Sequence, residues 1–130
     1  MACRCVGDLV ERDALVSAIA ETSVYAAARI MVEHACGSIL VTEGGCLVGI
    51  FTTHDLLTRV TAAGRDPAAT RLGEVMTGGP ETLSADLPIK AAIQCLKEFG
   101  RRYYLPVVEG GRVIGVLSTH RLLFSEGPDA

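Results

Sequence analysis

The sequence predicts an α/β (α+β) fold: two β-α-β-β-α repeats packed with pseudo-twofold symmetry. Three observations carry that prediction. Gly49-Ile50-Phe51-Thr52-Thr53-His54-Asp55-Leu56-Leu57 returns 66 residues on as Gly115-Val116-Leu117-Ser118-Thr119-His120-Arg121-Leu122-Leu123, and Glu43-Gly44-Gly45 returns as Glu109-Gly110-Gly111 at the same spacing. A period of this size filling the chain marks two similar units. In each copy a Gly-Gly pair separates two short apolar runs, the pattern of a tight hairpin. Ahead of each hairpin, apolar residues recur at helical spacing.

The elements follow in order. Leu15 to Ile19 reads as the first strand. Val24, Ala27, Ala28, Met31 and Ala35 then line one face of an amphipathic helix, with Thr22 where an N-cap belongs. Ile39-Leu40-Val41 and Cys46 to Phe51 flank Gly44-Gly45, whose glycines permit positive φ. Thr52 and Thr53 cap a short helix running to about Thr61. In the second copy Thr82-Leu83-Ser84 is the strand, and Ile89, Ala92, Ile93, Leu96 and Phe99 form the helix face. Pro88 falls in that helix's first turn, where its missing N–H costs nothing. Leu105 to Val108 and Arg112 to Leu117 make the second hairpin, and the last helix starts near Thr119. The expected organisation is repeat 1 over 1–62, a polar connector over 63–71, repeat 2 over 72–124 and a loose tail over 125–130. A three-stranded sheet needs a partner to cover its second face, so the two repeats are expected to pair.

Composition narrows the function. At 130 residues, 49% hydrophobic and 21% charged, the chain reads as globular. A net charge of −3, with no Trp, speaks against a nucleic-acid partner. No apolar run approaches the ~18 residues a membrane helix needs, and the N-terminus lacks a signal-peptide core, so a cytoplasmic location without membrane contact is expected. The five cysteines (3, 5, 36, 46 and 95) lack paired zinc spacing and read as reduced thiols, with Cys36, Cys46 and Cys95 partly in the core and metal or redox chemistry at Cys3 and Cys5 as the lesser reading. Catalysis has no foothold: there is no nucleophile–base pairing, no Walker-type loop and no His/Glu metal spacing. The expectation is therefore a protein that is not an enzyme and requires no cofactor.

The chain resembles the cystathionine-β-synthase (CBS) domain family, and the tandem looks like a Bateman module. The residues that carry the likeness are Gly49 to Asp55, Val75-Met76-Thr77, Leu105-Pro106-Val107-Val108 and the helix-facing alanine pairs, taken in order and duplicated. The resemblance implies a stand-alone regulatory module. It would bind an adenosine nucleotide (AMP, ADP, ATP or a related adenosyl ligand) in a cleft between its repeats, form a homodimer and report to a separate effector protein. By position in that family, Thr52, His54 and Asp55 would share a cleft with Glu81, Thr82, Tyr104 and Pro106, with His120 near the phosphates. Tyr104 and Pro106 would flank the adenine; otherwise Tyr103 or Tyr104 is a half-buried strand aromatic.

The chemistry suits such a ligand. A ribose offers two adjacent hydroxyls, and an ionised carboxylate such as Asp55 can accept from both. A helix start also favours phosphate through its unpaired N–H groups. Asp55 and Thr52 are equally intelligible as ordinary helix-start residues, and His120 as a solvated first-turn histidine. The pseudo-equivalent cleft would use Ser17, Ser38, Ser118 and Arg121. Arg121 stands where the first copy has Asp55, and a guanidinium has donors only, so that cleft is expected to be degenerate. Two departures from the family pattern stand out. Ser38 occupies a position often basic, while Arg101 and Arg102 occur in the second copy, and Val10 stands where the second copy has Met76. The alternative reading is a dimerisation or interaction module that needs no ligand.

Overall fold

The computed structural model describes residues 5–10, 15–99 and 104–119, arranged as two bodies. The first spans Val16–Pro80; the second combines Met1–Leu15 with Glu81–Ala130. The sequence repeats and the bodies therefore have different boundaries. The segment that opens each sequence repeat is built into the body that holds the rest of the other repeat.

In the first body, β1 (Ser17–Ile19) leads into α1 (Val24–Glu33), then β2 (Ser38–Glu43), β3 (Cys46–Thr52) and the short helix α2 (Thr53–Asp55). A π-helical stretch, Leu56–Thr61, continues α2, so the final helix of this repeat reaches Thr61 as expected but changes geometry on the way. A 3-10 turn, Pro67–Ala69, then α3 (Leu72–Val75) and β4 (Thr77–Gly78) complete the body. The sheet order is β1-β2-β3-β4, with β1 parallel to β2 and the other pairs antiparallel. Gly44 and Gly45 take φ of 58° and 84° at the hairpin, a region that penalises any residue with a Cβ.

The second body carries β5 (Leu83–Ser84), α4 (Ile89–Phe99), β6 (Tyr104–Glu109) and β7 (Arg112–Ser118), in sheet order β5-β6-β7. A 3-10 turn, Val6–Leu9, packs on it. The two hairpins lie in separate sheets, and each shifts register at the same place, between Val41 and Thr42 and between Val107 and Val108.

Each body has its own core. Val24, Ala27 and Met31 of α1 pack with Ile39, Val41, Phe51, Val60, Leu72 and Val75. Ile89 and Ala92 of α4 pack with Leu83, Leu105, Val107, Leu117 and, from the chain's start, Val6 and Leu9. Each fully buried aliphatic or aromatic side chain contributes roughly 1.5–3 kcal/mol.

The entering segments dock by matching contacts. Val6 N–H donates to Leu87 O (2.9 Å) and Gly7 N–H to Ala85 O (2.8 Å). In the first body Leu72 N–H donates to Thr22 O (2.9 Å) and Gly73 N–H to Ala20 O (3.0 Å). Both segments begin with the same device, an acidic side chain reaching back to the backbone N–H three residues earlier: Asp8 to Cys5 (3.0 Å) and Glu74 to Arg71 (3.1 Å). The repeated glycine now has a reason. A Cβ on Gly49 would come within 2.4 Å of Met76 Sδ, and one on Gly115 within 2.8 Å of Val10 Cβ. The Val10/Met76 difference is thus a difference in what fills the same glycine seat.

Several local expectations need correction. The cap of α1 is Ser23, not Thr22: the Ser23 hydroxyl accepts from Ala26 N–H at 3.1 Å, while Thr22 N–H closes a turn onto Ile19 O. β1 starts at Ser17 and not Leu15, because only Ser17–Ile19 pair with Leu40–Thr42. Ala35 lies beyond the helix with φ of 51°, and Cys36 N–H closes onto Met31 O, a left-handed stop. Pro88 precedes α4, and its carbonyl accepts from Ala92 N–H. Cys46 is exposed, whereas Cys36 and Cys95 are half-buried against the cores. Within the polar connector Thr70 is buried, its hydroxyl donates to Asp66 O (2.8 Å), and its carbonyl accepts from Val24 N–H (2.8 Å). Cys3, Arg101, Arg102, Tyr103, the expected helix beyond Thr119, the expected tail over 125–130 and the side chain of Phe99 lie outside the described residues.

Candidate functional site

β2 and β3 run antiparallel, so the start of one meets the end of the other, and Ser38 pairs with Thr52. The parallel β1 brings Ser17 to the same end of the sheet, opposite Leu40. There the chain leaves β3 into α2, and Thr53 N–H donates to Gly37 O at 3.0 Å. Ser17, Ser38, Thr52, His54 and Asp55 therefore gather at one edge of the first body. Ser17 and His54 are exposed, Thr52 is half-buried, and Ser38 and Asp55 are buried.

Asp55 is the most constrained of these. Its Oδ2 accepts from Thr52 N–H (3.0 Å) and from the Thr52 hydroxyl (3.1 Å), while Asp55 N–H reaches Thr52 Oγ1 (3.2 Å). This reciprocal box follows from a Thr and an acid three residues apart at a helix start. The other oxygen, Oδ1, lies 3.5 Å from Arg59 Nε. Only 6% of Asp55 is exposed, so the fold holds a carboxylate just beneath the surface with one oxygen fully engaged. Arg59, four residues on, was not among the residues the sequence pointed to. An acid and an arginine at i and i+4 are the visible signal for such a pair.

The second body places its candidates at the matching edge. Tyr104 pairs with Ser118 as Ser38 does with Thr52. Tyr104 is half-buried, Pro106 is fully buried in β6, and Glu81 and Thr82 are exposed just before β5. His120 and Arg121 lie outside the described residues. The strand pairing thus brings together Ser17, Ser38, Thr52, His54 and Asp55 in one body, and Glu81, Thr82, Tyr104, Pro106 and Ser118 in the other. No cluster of three metal-ligating side chains occurs among the described residues.

The sequence pattern of the CBS domain matches this chain twice, over residues 6–62 and 72–125. The chain belongs to the CBS domain family. It is a tandem CBS pair of mixed α and β structure. It is 37% identical over 102 residues to the Meiotically up-regulated gene 70 protein of Schizosaccharomyces pombe, covering 78% of this chain and 14% of that protein. This CBS pair therefore corresponds to a small part of that relative. Among solved structures, an uncharacterized conserved protein from Pyrococcus horikoshii superposes with a TM-score of 0.85 at 25% identity, covering 98% of this chain and 96% of that one. A hexameric CBS-CP12 protein from bloom-forming cyanobacteria shares the fold, with a TM-score of 0.86 at 21% identity over 98% of this chain and 73% of that one. Among the described residues, no helix is long and apolar enough to cross a membrane.

Proposed function

We propose that this CBS pair is a non-catalytic regulatory module of the cytoplasm that binds an adenosine nucleotide (AMP, ADP, ATP or a related adenosyl ligand) and reports occupancy to a partner protein. The observation that carries this reading is the Asp55 carboxylate. Thr52 fixes its Oδ2, leaving Oδ1 as an acceptor for ribose hydroxyls. Thr52 and His54 stand beside it in the same body. Occupancy can act on a partner only if affinity differs between two states of the module.

The test is calorimetry with AMP. The wild type is expected to take about one nucleotide per chain. Asp55→Ala should lose at least ~1.5 kcal/mol of binding, more than tenfold, the scale of a charge-assisted hydrogen bond. Arg121→Ala should keep ribose recognition, since a guanidinium cannot accept from hydroxyls. Two equivalent sites per chain, or full affinity in Asp55→Ala, would remove this reading.

A second reading, association without ligand, is favoured by the outer face of α1. Tyr25 is 54% exposed and Val32 80% exposed, and with Ala28, Arg29 and Glu33 they line an open groove of about 260 Å³. We take this face as the surface of a homodimer. If AMP leaves the melting temperature unchanged while Val32→Glu turns a sedimenting dimer into monomer, the second reading replaces the first.

A further inference from the structure

Arg59 ties Asp55 to a distant part of the first body. Its Nη1 donates to the carbonyls of Val75 (3.3 Å) and Met76 (3.2 Å), while its Nε faces Asp55 Oδ1 at 3.5 Å. The position depends on the π-helical stretch. Five-residue hydrogen bonds there (Ala62 N–H to Leu57 O at 2.8 Å, Arg65 N–H to Val60 O at 2.9 Å) widen the turn that carries Arg59. The end of α3 that Arg59 grips is also the end that seats Met76 against Gly49.

The acceptor arithmetic at Asp55 gives this contact a consequence. A carboxylate has about four acceptor positions, two on each oxygen. Thr52 N–H and Thr52 Oγ occupy both on Oδ2. Oδ1 has two, and the Arg59 guanidinium faces it. Both positions on Oδ1 can accept, but the guanidinium stands over that oxygen: one ligand hydroxyl fits beside it, whereas a pair of vicinal hydroxyls needs the space it takes. At 3.5 Å the Arg59 contact is a loose ion pair and not a short hydrogen bond, so it can yield.

We propose that Arg59 is a specificity-determining residue that competes with a vicinal diol for Asp55 Oδ1, lowering affinity for ribose ligands relative to ligands with a single hydroxyl. The inference rests on the nucleotide reading. Diol binding displaces the guanidinium from Oδ1 and leaves it on the carbonyls of Val75 and Met76.

The experiment compares AMP and 2′-deoxy-AMP by calorimetry on the wild type, Arg59→Ala and Arg59→Gln, with Asp55→Ala as the reference. Arg59→Gln removes the charge and the reach to the Val75 and Met76 carbonyls but keeps a neutral N–H donor at the position of Nε, and urea unfolding of both variants guards against a fold defect. Removing a half-exposed ion pair should tighten AMP binding by about 2- to 5-fold in both variants. Affinity for 2′-deoxy-AMP should change less than about twofold, because a single hydroxyl does not require the displacement. A rise that is equal for both ligands, or a fall for AMP in Arg59→Gln, overturns the competition. If Asp55→Ala loses AMP while both Arg59 variants match the wild type, the role of Arg59 fails and the nucleotide reading stands. If the wild type and both variants bind neither ligand, both fall together.

Discussion

The two bodies are copies in scaffold and differ in what they mount on it. Both place a Gly-Gly hairpin, a register shift one residue past the middle of the hairpin's first strand, and an entering segment held by two matching backbone hydrogen bonds. Both seat that segment against a strand glycine, filled by Met76 in one and by Val10 in the other. The edges differ. The first body presents Ser38, Thr52 and the boxed Asp55, while the second presents Tyr104 and Ser118, with Arg121 written where Asp55 stands. Packing has been kept through the duplication while edge chemistry has diverged. A polar acceptor belongs to one copy and an aromatic to the other.

The largest test of the shared scaffold lies in the cores. Phe51 and Leu117 occupy the same repeat position and both are fully buried. Phe51→Ala should cost ~3–5 kcal/mol and Leu117→Ala ~2–5 kcal/mol in urea unfolding. A loss below ~1 kcal/mol at either would break the equivalence of the two cores.

The glycine seats should separate the bodies. At Gly115 an added Cβ meets Val10 close to its backbone, and a β-branched side chain cannot swing aside. At Gly49 the nearest atom is the end of a flexible methionine, although Thr77 O at 3.0 Å limits the relief. Gly115→Ala should therefore cost ~2–3 kcal/mol and Gly49→Ala about 1 kcal/mol, both within the usual cost of overpacking. The reverse order, measured by chemical denaturation, would show that Met76 is the more rigidly held of the two.

A smaller effect follows from the end of α1. Ala35 sits at φ 51°, just past the end of α1. Ala35→Gly should raise stability by roughly 0.5–1 kcal/mol, the left-handed penalty less the added freedom of the unfolded chain. Thermal unfolding that falls instead would mean Ala35 makes contacts worth more than that strain.

The smallest effect concerns the entering segments. Glu74 has its carboxyl held below the usual carboxylate range, first by the Arg71 backbone N–H and then by hydrogen bonding and charge from Arg65, against some desolvation. A depressed folded-state pKa contributes stability that is present above the unfolded value and lost as pH falls through the folded one. The stability gap between wild type and Glu74→Gln should therefore be open near neutrality and close in acid, below the ordinary Glu range. A gap that widens in acid would contradict the sign.

The hairpins and amphipathic helices were legible because their determinants are local. Gly-Gly turns, β-rich flanks and helical spacing all act within a dozen residues. The cap moved from Thr22 to Ser23 because either residue could supply the hydroxyl, and the turn at Thr22 chose between them. Neither the exchange of entering segments nor the two-residue β4 could be read, since both depend on partners far away in sequence, such as Gly49 with Gly78. At the site, the Thr52–Asp55 box was visible as spacing. The grip of Arg59 on Val75 and Met76, 16 and 17 residues on, was not.

The crossing of the entering segments also sets an order of assembly. The first body is written in one stretch, Val16–Pro80, and can close as soon as that stretch exists. Val6 must instead find Leu87, and Val10 must find Gly115, across nearly the whole chain. Loop closure grows only logarithmically with length, so the delay is set by synthesis and search more than by equilibrium cost. Val6 has no partner until Leu87 has been made and Val10 no seat until Gly115, so a ribosome-bound chain halted at residue 80 would carry both undocked.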